Sequence, residues 1–171
     1  WRESGVSMDI TPLSQALGAE IGGLDLREPL NASTIAEVEN AWHEHIVLVF
    51  RDQDLDEDAQ LRFAKQFGTL GGRARPAERR AEGADYNSAI MLVSNVRENG
   101  VPIGSLRDGE MWFHHDMSYT EAPYKGTMLY GIEIPSIGGN TKFANMYKAY
   151  DTLSEATRDR IRGMRALHIY D

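Results

Sequence analysis

The sequence predicts a mainly β domain with flanking α-helices, on three observations. Ile46–Phe50, a continuous apolar run with β-branched residues, has the composition of a buried strand, and Thr127–Ile134 is strand-like. Helical periodicity recurs from Asn31, from Asp56 and from Met146, so helices and strands interleave in the first half. No Gly-x-Gly-x-x-Gly or phosphate-loop sequence follows any strand, which argues against a doubly wound nucleotide-binding fold.

Taken in order, Val6, Met8 and Ile10 alternate with polar neighbours as a half-exposed strand does. Gly18, Gly22 and Gly23 then mark tight loops. Asn31-Ala32-Ser33 matches a glycosylation sequon but lies where a helix N-cap belongs. Thr34-x-x-Glu37 has capping-box spacing, and Ile35, Val38, Ala41 and Trp42 share one face. His43 and His45 complement the carbonyl end of that helix. Asp56 opens a second helix with Leu61, Phe63, Ala64 and Phe67 as its apolar face, stopped by Gly68. Residues 71–88 read as a loop; its arginines, Arg73, Arg75, Arg79 and Arg80, suit an anion, though a solvated surface is the commoner origin of such a run. Ala89–Val93 is expected as a buried strand. Turns are expected at Asn99-Gly100, Asp108-Gly109 and Gly138-Gly139. Met146–Gly163 reads as two short helices broken at Ser154, and Met164–Tyr170 as a returning strand.

The 171 residues, 42% of them hydrophobic, suit a single domain, 1–171. A formal charge of −8 gives no general attraction to nucleic acid or anionic membranes. No apolar run is long enough for a membrane span, and no targeting stretch opens the chain, so a cytoplasmic protein is expected. Zero cysteines exclude disulfides, thiolate metal sites and a cysteine nucleophile.

The chemistry concentrates at Phe113-His114-His115-Asp116. In extended chain, residues two apart share a face, so His114 and Asp116 can aim a nitrogen and an oxygen at one point. Two such ligands and a second histidine make the facial triad of non-haem Fe(II) oxygenases. His115, between them, is expected on the opposite face, off the metal. Trp112, Phe113 and Tyr119 are expected as core or pocket wall.

Several phrases in order carry a family likeness. They are Leu17-Gly18-Ala19-Glu20-Ile21-Gly22-Gly23-Leu24-Asp25-Leu26, Val47-Leu48-Val49-Phe50-Arg51-Asp52-Gln53, Phe67-Gly68, His114-His115-Asp116 and Ile134-Pro135-Ser136-Ile137-Gly138-Gly139-Asn140-Thr141. Along nearly its whole length the chain resembles the TauD/TfdA family of Fe(II)- and 2-oxoglutarate-dependent dioxygenases. The resemblance implies a double-stranded β-helix, or jelly roll, of which these residues are expected to be the N-terminal portion. It places iron on His114 and Asp116 and a carboxylate of 2-oxoglutarate on Thr141. The family's second iron histidine and its 2-oxoglutarate arginine lie downstream of the matched region; His168 is a weak candidate for the third ligand. Arg73 and Glu110 stand where taurine-specific members carry a histidine and an asparagine. That disfavours taurine, while Arg73 suits an anionic carboxylate or sulfonate.

The implied activity is dioxygen-dependent hydroxylation of a small organic acid (a sulfonate, an aryloxyalkanoate or a similar carboxylate), releasing succinate and CO2. The partners expected are that anionic small molecule and dioxygen, with no nucleic acid and no membrane, in a homo-oligomer. Two other readings stay open: a redox-inert cupin-like metalloenzyme, and a non-catalytic fragment or binding module.

Overall fold

A computed structural model describes residues 8–72, 89–104 and 111–169. The chain divides into two compact units, one formed by Trp1–Phe67 with Met117–Asp171 and the other by Gly68–Asp116.

The first unit is built on a three-stranded sheet. Strands β1 (Asp9–Pro12) and β2 (Ala19–Gly22) pair antiparallel, with Ile10 opposite Ile21. Strand β3 (Leu48–Val49) pairs parallel with β2, Ala19 opposite Leu48, so β2 is central. Parallel pairing requires a crossover, and helix α1 (Ala32–His45) supplies it. Asn31 is its N-cap, its side chain accepting from the Thr34 amide at 2.9 Å. Thr34 is therefore capped rather than capping: its hydroxyl donates to the same Asn31 oxygen at 3.2 Å. Helix α2 (Glu57–Lys65) starts on Asp56, whose carboxylate accepts from Ala59 N at 2.7 Å. Aspartate there both fills an orphan donor and complements the helix dipole. Helices α3 (Met146–Asp151) and α4 (Glu155–Ile161) are capped by Asn145 and Ser154, as the break at Ser154 predicts.

The core lies where the two long helices cover β2. Ile21, Leu24, Leu26, Val38, Ala41, Leu55, Ala59 and Phe63 form one buried cluster, edged by Phe50, Phe67, Met128 and Tyr130. Phe63 meets Phe50 and Phe67 edge to face, at centroid distances of 5.5 and 5.1 Å, the arrangement aromatic quadrupoles favour. Burying a side chain of that size contributes about 1.5–3 kcal/mol. Gly22 belongs to β2 rather than to a loop, whereas Gly18 and Gly23 take the positive φ that a tight turn demands.

In the second unit, β4 (Arg97–Glu98) and β5 (Val101–Pro102) form a hairpin around Asn99-Gly100. Both turn residues have positive φ, 52° and 82°, the type I′ geometry that matches strand twist.

Three expected strands differ. Residues 89–93, 127–134 and 164–169 form no ladder among the described residues, and Met91, Val93, Leu129, Ile132, Ile134, Leu167 and Ile169 are exposed. Apolar, β-branched sequence favours extended chain, but a strand also needs a neighbour to accept and donate its backbone hydrogen bonds. The short segment 46–50 shows the same limit: only Leu48 and Val49 pair. The Asp108-Gly109 turn, the arginine loop beyond Gly72 and Tyr170 lie outside the described residues.

Met128 and Tyr130 nevertheless join the core, and one hydroxyl secures them. Tyr130 Oη accepts from Leu55 N at 3.0 Å and donates to Gln53 O at 3.2 Å. Tyr130→Phe leaves both half-buried backbone groups without that partner. It should lower the unfolding free energy by about 1–3 kcal/mol in urea denaturation, with the m-value unchanged.

Candidate metal and co-substrate site

His114 and Asp116 converge. Residues 111–116 form no ladder, yet the spacing of two still puts both side chains on one side, with His114 Nε2 3.1 Å from Asp116 Oδ1. The ring is oriented by its other nitrogen, His114 Nδ1 lying 2.7 Å from the carbonyl oxygen of Trp112. A carbonyl can only accept, so Nδ1 carries the proton and donates. Nε2 then faces the carboxylate with its lone pair, an arrangement that requires a second proton or a cation between the two groups. The separation fits a cation: two adjacent donors on an octahedral ion with bonds of about 2.1 Å are about 3 Å apart. Second-atom anchoring of a ligating histidine on a backbone carbonyl is also the usual way its tautomer is set. Both side chains are about half exposed, 49% and 47%, so a solvent-borne ion can reach them.

The remaining site candidates are distributed otherwise. Thr141 belongs to the other unit, is exposed, and follows the Gly138-Gly139 turn, whose φ values are 80° and 66°. A Cβ on Gly139 would stand 3.0 Å from Pro135 Cγ, so the turn before Thr141 is tied to glycine by space as well as by φ. Arg73 and Glu110 lie outside the described residues. Among the described residues no group of three His, Cys, Asp or Glu side chains is placed to hold a metal, and His168 belongs to the other unit. Trp112 and Phe113, expected as core or pocket wall, are exposed at 92% and 71%. The Trp112 carbonyl is the contributor that sequence reasoning misses; a backbone acceptor leaves no residue-type signal.

The profile of the taurine catabolism dioxygenase TauD, TfdA family matches residues 9–171. The chain belongs to this family. It is 31% identical over 169 residues to the alpha-ketoglutarate-dependent 2,4-dichlorophenoxyacetate dioxygenase of Cupriavidus pinatubonensis, covering 95% of this chain and 58% of that protein. It is 33% identical over 174 residues to the (S)-phenoxypropionate/alpha-ketoglutarate-dioxygenase of Sphingobium herbicidovorans, covering 95% of this chain and 53% of that one. Among solved structures, a taurine dioxygenase from Burkholderia xenovorans superposes with a TM-score of 0.77 at 30% identity, over 96% of this chain and 54% of its own. The chain thus spans about half the length of the TauD/TfdA relatives it matches. No helix among the described residues is long and apolar enough to cross a membrane.

One further concavity in this TauD/TfdA chain is polar, a cleft of about 350 Å³ lined by Leu24, Asp25, Arg27, Asp52, Gln53 and Asp54. Its single guanidinium pairs with one of its three carboxylates. Arg27 donates to Asp25 through Nε at 2.9 Å and Nη2 at 2.7 Å, and Gln53 bridges Leu26 N and Leu24 O. These hydrogen bonds from Arg27 hold the Asp25 carboxyl down at about 2. A depressed carboxylate pKa gives stability that is present above the unfolded value, about 3.9, and lost as pH falls through the folded one. NMR titration of the Asp25 carboxyl carbon should therefore show a midpoint near 2. In Arg27→Ala the midpoint should rise but stay below about 3.9, because the amide of residue 27 still donates to Asp25 Oδ1.

Proposed function

We propose that this chain carries metal and co-substrate groups of an Fe(II)- and 2-oxoglutarate-dependent dioxygenase built on a double-stranded β-helix, of which residues 1–171 contribute the N-terminal portion. The observation that carries the reading is the 3.1 Å approach of His114 Nε2 to Asp116 Oδ1, with the histidine tautomer set by Trp112 O. Membership of the TauD/TfdA family supports the reaction class.

His114 and Asp116 would hold the iron as adjacent nitrogen and oxygen donors. Bound there, iron with 2-oxoglutarate supplies the oxidation of a substrate C–H bond by dioxygen, with succinate and CO2 as co-products. The chain's own groups bind and orient. Thr141 would donate its hydroxyl hydrogen bond to a carboxylate of 2-oxoglutarate. Arg73 would pair with the anionic end of the substrate, for which a guanidinium fork is well matched, and Glu110 would lie near it.

The substrate is a small organic acid. The two relatives whose names specify aryloxyalkanoates favour that class over taurine, and Arg73 in place of the family's sulfonate-contacting histidine agrees with them. Hydroxylation at the carbon beside the ether oxygen would give a hemiacetal that collapses to a phenol and a keto- or aldehydo-acid.

In the full-length protein, His114→Ala and Asp116→Ala should each abolish Fe(II) binding and 2-oxoglutarate-dependent oxygen uptake. Unchanged iron affinity in either variant would sink the assignment, and iron binding without succinate formation would favour the redox-inert cupin-like alternative. Thr141→Val removes a hydroxyl at nearly constant shape. Its KM for 2-oxoglutarate should rise by the equivalent of a lost hydrogen bond to a charged group, about 1.5–3 kcal/mol; equal co-substrate affinity would make Thr141 structural.

A further inference from the structure

We propose that His115 is a positioning residue for the Asp116 carboxylate, an inference that rests on the metal site proposed above. Strand alternation sends His115 away from the metal and gives it no task. In the structure the exposed ring turns back on its own chain instead, with Nδ1 2.9 Å from the carbonyl oxygen of Asp116. The carbonyl accepts, so His115 Nδ1 carries the proton and donates. His114 makes the corresponding bond to Trp112 O at 2.7 Å. Two successive imidazoles are thus tied to the backbone of one short segment. His114 orients the nitrogen donor, and His115 holds the peptide that follows the oxygen donor.

That peptide needs holding. Met117 has φ of 57°, in the left-handed region that a side-chain-bearing residue enters only at a cost. The crowding there involves the preceding carbonyl oxygen, which is that of Asp116. The His115 N–H rewards this carbonyl with a hydrogen bond in the orientation the backbone disfavours. Without it, the backbone around Asp116 and Met117 is free to relax the crowding, and the backbone that presents Oδ1 to His114 Nε2 loses that restraint.

Co(II) titration of the full-length protein, followed by visible absorption, tests this independently of turnover. His115→Asn sets an amide N–H close to where the imidazole Nδ1 sits, whereas His115→Gln sets it at the Nε2 position and His115→Ala has none. The Ala and Gln variants should bind Co(II) about five-fold more weakly, the effect of one modest hydrogen bond, and the Asn variant should stay within about two-fold of wild type. Asp116→Ala should abolish binding. Loss in Asp116→Ala with wild-type affinity in His115→Ala rejects the positioning role alone, as does equal weakening in Asn and Gln. Unchanged Co(II) affinity in Asp116→Ala overturns the metal site and the role of His115 with it.

Discussion

Burial of the central strand β2 is the constraint on which the described fold depends. Ala19 and Ile21 are almost wholly removed from water, at 0% and 3% exposure, and a strand covered in this way must be paired along its edges and packed on its apolar face. β1 satisfies one edge by a short return through the Gly18 turn. The other edge takes β3, which can run parallel only because α1 carries the chain back across the sheet. The return is tight: Ile46, directly after α1, sits at a φ of 70°, an unusual place for a β-branched residue. Two bonds hold it there, Ile46 N to Trp42 O at 2.7 Å and Trp42 Nε1 to Ile46 O at 3.0 Å. Trp42 therefore both packs and staples, and Gly126 lies so close to its indole that a Cβ would overlap the ring. Lys125 beside it pairs with Glu39 and stands over the same indole, 5.7 Å from the ring centroid.

The candidate metal pair follows a different logic. Both candidate donors come from one local segment; His114 and its neighbour His115 each bond a backbone carbonyl, two and one residues away. Such a pair is precise but weak. Iron stands low in the divalent affinity order, so two ligands hold it poorly and further donors decide whether the site functions. Thr141, reached through a turn whose positive φ favours glycine, represents the opposite case, a residue whose proposed partner depends on how distant parts of the chain come together.

Legibility followed the range of the interaction. Helix starts at Asn31, Asp56 and Ser154 and the Asn99-Gly100 turn are contacts between residues close in sequence, and each was readable. The capping box at Thr34 was misassigned by one turn, because Asn31 and Thr34 both have capping chemistry; Asn31 takes the cap and Thr34 lies inside the helix, its amide donating to the Asn31 side chain. Segments such as 127–134 carry strand composition without a ladder, since pairing is a property of two segments and composition of one.

By itself the sequence determined the family, the helix starts at Asn31, Asp56 and Ser154, the Asn99-Gly100 turn, and the spacing that lets His114 and Asp116 face one another, all of which rest on residue identity and short spacing. Only the tertiary structure decided that Tyr130 locks the segment around Leu55, that Trp112 contributes a carbonyl and leaves its indole exposed, and that His115 folds back on Asp116. Those outcomes depend on backbone groups and on side-chain torsions. Neither is written in the residue types, because every residue but proline offers the same amide and carbonyl until the chain's path chooses between them.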